Sequence, residues 1–258
     1  MNQSERRLFL IQSLLREAGY QNPQIPGDAE EQKMLLRGMM NVRSPKTIDP
    51  AFLEMQDAYL QEATAEKGIT DIRDLTPIQP GLYLWQGDIT TLRCDAIVNA
   101  ANSGMTGCYV PNHRCIDNAI HTFAGVQLRL ACEELMERQG CPESTGRAKI
   151  TPAYNLPCKY VLHTVGPIVS GKVTQQQKAL LASCYRSCLE LAVEHNLESV
   201  AFCCISTGEF RFPNELAAEI AVETVKDFLK NESSVKRVIF NVFKDLDKNI
   251  YRRLLRAD

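Results

Sequence analysis

Residues 199–213 read SVAFCCISTGEFRFP. The first half is apolar and β-branched with no polar alternation, the pattern of a strand buried on both faces. The second half turns polar, contains Gly208 and ends at Pro213, whose fixed φ suits the start of a helix. A doubly buried strand that runs into a helix is the unit of a layered α/β sheet. Outward from it, LYLWQ (82–86), DAIVNA (95–100), GRAKITPA (146–153), YVLHTV (160–165) and VKRVIFNVF (235–243) read as further strands. Helical periodicity fills the intervals: from about Asp117 to Gln139, where Gly140 stops it, then 175–195, then Pro213 to about Lys230, then a closing helix. In 175–195, Leu181, Cys184, Tyr185, Cys188 and Leu191 share one face.

The first 75 residues have a different character. Ser4 can cap a first helix with Leu8, Ile11 and Leu15 on one face and Gly19 at its end. Asp28 with Glu31 introduces a second, bearing Met34, Leu35 and Met39. Asp49 and Pro50 open a third, with Phe52, Met55 and Tyr59 as its stripe. TPIQPG (76–81) then punctuates the chain. The expected organisation is a helical extension over 1–75 and an α/β domain over 76–258. The extension carries no cluster of the histidine, cysteine or paired-acid kind that chemistry needs, so it reads as a structural or docking element.

The chain of 258 residues is 45% hydrophobic and 23% charged, enough for a core, and its net charge of -2 gives no electrostatic reason to expect nucleic acid. No apolar run approaches the roughly 20 residues that span a bilayer. MNQSERRLFLIQSLLREAGY reads as an amphipathic helix, not a secretory signal. Ten cysteines without such a signal imply reduced thiols or metal ligands and a cytoplasmic setting.

In open α/β sheets ligands bind beyond the C-terminal ends of the strands. The unusual residues fall into three such loops. GDIT places Asp88 where it either accepts from an exocyclic amine or stabilises a turn. NAANSG offers Asn99 and Asn102, amides that suit sugar hydroxyls as well as turns. TGEFRF offers backbone N–H groups before a helix, a cradle for phosphate or a plain strand-to-helix turn. Residues 107–125, GCYVPNHRCIDNAIHTFAG, are sharper. Cys108-x4-His113-x-Cys115 supplies two thiolates and an imidazole, the ligand types that zinc prefers. A buried thiol cluster is the rival reading, and Cys132, Cys141 or His163 can supply a fourth ligand. His121 and His163 themselves read as buried, hydrogen-bonded histidines, and Cys184, Cys188, Cys203 and Cys204 as small apolar core residues.

GDIT, DAIVNAAN, DNAIH (117–121) and ISTGEFRFP, in this order over roughly residues 78–258, resemble the macrodomain family, which binds ADP-ribose. The likeness is nearest the zinc-containing branch of bacteria and fungi, marked by the Cys-x4-His-x-Cys insertion. GCYVPNHRCI stands where other hydrolytic members have a glycine-rich run, so the glycine contacts to the distal ribose and phosphate do not all carry over. The resemblance implies a three-layer α/β/α fold with a mixed central sheet, preceded by the helical extension. It implies that Asp88 and Ile89 hold adenine and that Ser206, Thr207, Gly208, Glu209 and Phe210 wrap the diphosphate and flank the distal ribose. Asn102 would orient ribose hydroxyls, Asp117 would assist hydrolysis, and Cys108, His113 and Cys115 would bind one Zn2+ per chain. Arg211 stands where many relatives have glycine. The implied activity is a zinc-dependent protein-ADP-ribose hydrolase acting on Asp/Glu-linked mono-ADP-ribose. A non-catalytic ADP-ribose reader and a hydrolase of free O-acyl-ADP-ribose are the alternatives. Implied partners are ADP-ribose, mono-ADP-ribosylated protein, and a lipoylated carrier protein modified by a sirtuin-like transferase.

Overall fold

The N-terminal extension folds as three helices, α1 (Gln3–Glu17), α2 (Ala29–Val42) and α3 (Pro50–Lys67). The structure, a computed structural model, describes residues 1–256. Asp28 and Asp49 cap α2 and α3 as expected, whereas α1 is capped by Asn2 in a capping box with Glu5, not by Ser4. The three apolar faces meet in a small second core around Leu10, Ile11, Leu14, Leu36, Phe52 and Leu60, which Val126 of a later helix joins. Met34 points outward, and Leu36 and Met40 occupy the core positions of α2.

The remaining elements follow as β1 (Thr70–Asp71), β2 (Leu82–Gln86), β3 (Leu92–Arg93), β4 (Ala96–Ala101), α4 (Ile116–Ala124), α5 (Val126–Gln139), β5 (Ala148–Pro152), β6 (Tyr160–Val165), α6 (Gln175–Glu194), β7 (Ser199–Phe202), α7 (Asn214–Leu229), β8 (Arg237–Val242) and α8 (Asp245–Leu254). The main sheet has the order β2-β8-β7-β4-β6-β5. All of its pairs are parallel except β5 with β6, which makes it a mixed sheet. Helices α4 and α5 pack on β4 and β5, while α6 and α8 pack on β5, β6, β2 and β8 with α7 between them. This is the expected three-layer arrangement. Its core is apolar because β4, β7 and β8 are covered on both faces: Ile97, Val98, Val200, Ala201, Val238 and Ile239 are all fully buried.

Two expectations need correction. The periodicity over 117–139 is two helices, broken at Gly125, which adopts φ +98°. A Cβ there would lie 2.6 Å from Gln56 Nε2. Gln56 of α3 instead accepts from Val126 N at 2.9 Å and so caps α5. The strand within SVAFCCIS stops at Phe202, because the chain turns at 203–206 into the following loop.

Asp95 ties three strand starts together. Its carboxylate accepts from Glu198 N and Ser199 N, each at 3.0 Å, from Ser199 Oγ at 2.9 Å and from Lys159 Nζ at 2.7 Å. Burial acts to raise its pKa, but the Lys159 ion pair and these hydrogen bonds outweigh that and leave it lowered. A depressed carboxylate stabilises the fold above the ordinary aspartate pKa near 4, and that stability is lost as pH falls through the lowered folded value. Asp95→Asn is therefore expected to cost about 1.5–3 kcal/mol at neutral pH. Urea titrations from pH 7 to 3 should show wild type losing this advantage on the acid side, with the variant flatter.

Candidate functional site

The loops after β2, β4, β7 and β8 leave the same C-terminal edge of the parallel strands. After β2, Asp88 caps the short turn 89–91, with Oδ1 accepting from Thr90 N at 3.0 Å and Thr90 Oγ1 at 2.6 Å. The turn-stabilising role is thus real, and Oδ2 is turned toward Lys67 Nζ at 2.9 Å. Burial works to raise the Asp88 pKa, but Thr90 and Lys67 outweigh it, so the group is held as an anion. The Ile89 side chain enters the main core.

After β7 the chain makes a strained loop. Ser206 and Arg211 take φ +66° and +57°, a region that costs non-glycine residues energy. Phe212 N donates to Ser206 O at 2.9 Å, Arg211 N to Gly208 O at 3.0 Å, and Val169 N to Phe210 O at 2.9 Å. Gly208 faces open space. Ser206 Oγ is buried without a hydrogen-bond partner. Pro213 leaves the first turn of α7 with no side-chain cap, so its N–H groups are free for an anion.

After β4 lies the Cys/His loop. Cys108 Sγ is 3.5 Å from His113 Nδ1. The ligand atoms of Cys108, His113 and Cys115 all lie within 4.8 Å of one another. Zinc bonds of about 2.3 Å to sulfur and 2.0–2.1 Å to nitrogen require ligand atoms this close, so the donor set and its spacing fit the metal. Cys115 caps α4, and burial pushes its thiol up to about 12, a cost that a bound cation reverses. His113 Nε2 lies 3.8 Å from Glu209 Oε1, which brings the 206–210 loop against the metal loop. None of the suggested fourth ligands joins this group. Cys132 and His163 cluster with His121 instead, and Cys141, just past the end of α5, is exposed.

Asn102 holds the turn leading into that loop, accepting from Gly104 N at 2.9 Å and donating to Gly107 O at 3.1 Å. Asn99, in contrast, is fully buried, so it does not meet a sugar. Its Nδ2 donates to Asp117 Oδ1 at 2.8 Å and faces His163 Nδ1 at 3.2 Å. Asp117, in the first turn of α4, is only 5% exposed. Burial raises its pKa to about 6, against the lowering effects of Asn99 and Arg129. His163 is neutral, its pKa lowered by burial to about 3, and Thr151 Oγ1 meets its Nε2 at 2.9 Å. Both of its nitrogens are therefore engaged. His121, whose Nε2 is 3.5 Å from Asp117 Oδ1, borders a cavity of about 10 Å³ with Met40, Asn41 and Arg129. That is about the space one water needs.

A family model described as Macro domain matches residues 98–221. A protein-ADP-ribose hydrolase of Treponema medium is 58% identical over 260 residues, covering 99% of this chain and 100% of its own. The chain belongs to the macrodomain family. A protein-ADP-ribose hydrolase of Staphylococcus aureus is 49% identical over 253 residues, 97% of this chain and 95% of its own. Among solved structures, a mutant macrodomain of Oceanobacillus iheyensis with ADPR has a TM-score of 0.64 at 38% identity, covering 71% of this chain and 96% of its own. A Trypanosoma brucei macrodomain in complex with ADP-ribose has a TM-score of 0.67 at 28% identity, covering 84% and 94%.

Residues that the sequence motifs do not mark lie at the same edge of the sheet. Phe243, directly after β8, is 77% exposed. It sits beside the Asp88 turn, since Gly87 N donates to Val242 O at 3.1 Å and Gln86 Nε2 to Phe243 O at 3.3 Å. An aromatic ending a buried strand at the ligand edge was an available signal; VKRVIFNVF was read only as a strand. Lys67, Arg37 and Asn41 come from the extension and carried no signal at all.

The strained loop depends on close backbone approach. A Cβ on Gly166 would lie 2.0 Å from Ser206 Oγ and 2.9 Å from Ile205 Cγ2. Gly166→Ala is expected to cost about 1–3 kcal/mol, read in thermal melts, and to speed amide exchange at 206–210 while β4 stays protected.

Proposed function

We propose that this macrodomain is a zinc-dependent protein-ADP-ribose hydrolase that releases ADP-ribose from acidic side chains. The observation that carries this reading is the convergence of Cys108, His113 and Cys115 beside both Asp117 and the 206–210 loop. An anomeric ester of aspartate or glutamate has a leaving group of pKa near 4, so it needs little general-acid help. What it needs is a fixed sugar, a placed water and stabilised charge, and positioning of this kind contributes several kcal/mol.

The chain's residues divide that task. Asp88 accepts the adenine amine, sharing its Oδ2 with Lys67, and Phe243 covers the base. The amides of Thr207, Gly208, Glu209 and Phe210, with the start of α7, receive the diphosphate. Asn102 holds the turn that borders the distal ribose, and Asp117, aimed by Asn99, orients the attacking water. When zinc is bound by Cys108, His113 and Cys115 it supplies Lewis acidity beside that ribose. Glu209 lies where a carboxylate can accept from His113 and set its tautomer. Among the described residues no helix is long and apolar enough to cross a membrane. The free cysteines suit the reducing cytoplasm. A mono-ADP-ribosylated lipoylated carrier protein is one candidate substrate.

The test combines metal analysis with ADP-ribose release from an acid-linked substrate, with and without chelator, alongside O-acyl-ADP-ribose. We expect about one zinc per chain, loss of zinc and activity in Cys108→Ser, and faster turnover of the protein conjugate. A folded, zinc-free Cys108→Ser that turns over normally would remove the metal from catalysis; tight ADP-ribose binding without turnover would leave a reader module. Asp117→Asn should lower kcat by roughly 10²–10⁴-fold. Phe243→Ala should weaken ADP-ribose binding in calorimetry by about 1–3 kcal/mol without changing zinc content.

A further inference from the structure

The Cys/His loop has little internal structure to hold its three ligands in place. Within 107–115 the one backbone hydrogen bond is His113 N to Val110 O at 3.2 Å. Gly107 and Asn112 adopt positive φ, and Tyr109 and Val110 lie exposed. Such a segment, left alone, samples many arrangements, and each one lost on metal binding costs entropy.

The missing order comes from α2, more than 70 residues earlier in the chain. Arg37 Nη2 donates to His113 O at 3.0 Å and to Asn118 Oδ1 at 2.9 Å. With its oxygen fixed by Arg37, the Asn118 amide turns its nitrogen to the loop, where Nδ2 donates to Val110 O at 3.0 Å. Asn118 N meanwhile donates to Cys115 Sγ at 3.4 Å. Asn41 Oδ1 accepts from Asn112 N at 3.0 Å, and its Nδ2 donates to Thr122 Oγ1 at 3.0 Å, locking α2 to α4. Gly38 permits the approach, since a Cβ there would lie 3.2 Å from Asn112 Nδ2. Buried Arg129 completes the frame. It donates to Asn41 O at 2.6 Å, Arg43 O at 2.7 Å and Cys108 O at 3.4 Å, and it stacks on Tyr109 at 4.1 Å. Each ligand thus has a contact that leads back to α2: Cys108 through Arg129, His113 through Arg37, Cys115 through Asn118.

We infer that α2 of the N-terminal extension is a working part of the metal centre, with Arg37 and Asn41 as positioning residues that pre-arrange the Cys108–His113–Cys115 loop for its ion. The inference rests on the metal reading above. It replaces the view of the extension as a docking surface with that of an outer shell for the metal, whose removal ordinarily costs 10- to 100-fold in metal affinity.

Arg37 is half-buried on the helix surface, so Arg37→Gln should fold. The experiment follows zinc transfer from the full-length protein to a chromogenic chelator, with amide exchange and thermal melting on the same samples. Arg37→Gln should release zinc at least about tenfold faster and exchange faster over 108–118, with β4 protection unchanged. Arg37→Lys, which keeps the charge but replaces the planar guanidinium with a compact ammonium on a more flexible stem, should fall between. Asn41→Ala should act in the same direction and serves as the second probe should Arg37→Gln melt early. Wild-type zinc release and loop exchange in folded Arg37→Gln and Asn41→Ala would overturn the inference and leave the metal reading intact. A wild-type chain that takes up no zinc would remove both.

Discussion

A single hydrogen bond, Asn99 Nδ2 to Asp117 Oδ1 at 2.8 Å, joins the middle of the central strand to the first turn of α4, and the site is laid out from it. Asn99 is inside the sheet layer with no solvent to compete, so leaving either partner unpaired would cost the desolvation of a buried polar group, about 1–3 kcal/mol or more for the charged one. The bond therefore fixes where α4 begins. Cys115 caps that helix two residues earlier, which anchors one end of the metal loop; Asn102, three residues after Asn99, closes the turn at the other end. These anchors fix the two ends of the Cys/His segment, and the order between them comes from α2. The same amide also engages His163 Nδ1, so the strand, the helix and the neighbouring strand share one polar junction in an otherwise apolar layer.

That junction explains part of what the sequence could and could not reveal. Because burial of a whole parallel sheet leaves a compositional mark, alternation of apolar runs with helical spacing marks the six strands of the main sheet, though β7 ends four residues before its apolar run does. Cap residues Asp28 and Asp49 and the helix-opening Pro213 were equally legible, since their effects are local. The Cys-x4-His-x-Cys spacing likewise survives into space, its ligand atoms within 4.8 Å. The chemistry of Asn99 suits a sugar or a turn alike, and a strand buried on both faces has no polar side to reveal which way a residue points. Gly125 was missed because helical periodicity runs on through it; the break is imposed by Gln56, a residue of α3 that no local pattern can foresee. Arg37 and Asn41 lie on a helix that carries no unusual composition. Their partners are 76, 81 and 71 residues away in sequence, and only the fold brings them together.

The extension touches the site at two points. At one end Arg37 and Asn41 hold the metal loop; at the other Lys67, the last residue of α3, pairs with Asp88 and lies 3.3 Å over the Phe123 ring. Exposed ion pairs contribute little to stability, typically up to about 1 kcal/mol, so the Lys67 contact is better understood by where it is than by what it adds to the fold. An amine arriving at Asp88 meets a carboxylate whose Oδ1 is committed to Thr90 and whose Oδ2 is shared with a flexible, partly exposed lysine. Lys67 can move aside at small cost, which leaves Asp88 oriented and charged but not blocked.

The comparison structures sharpen why such an extension exists. The Oceanobacillus macrodomain matches 71% of this chain while being itself 96% covered; the uncovered remainder is about the length of the first 75 residues. Nearly all of that neighbour is matched without so long an addition, whereas here α1–α3 form a small second core that Val126 of α5 joins. The relatives from Treponema and Staphylococcus, by contrast, match 99% and 97% of this chain, so the match includes the added helices. In this chain α2 packs against the loop that carries Cys108, His113 and Cys115, and meets it through Arg37 and Asn41. A glycine-rich turn can wrap a ligand with its own backbone amides, but GCYVPNHRCI must instead present three side chains from fixed directions, and a loop with a single internal backbone hydrogen bond does so with directions set from outside it.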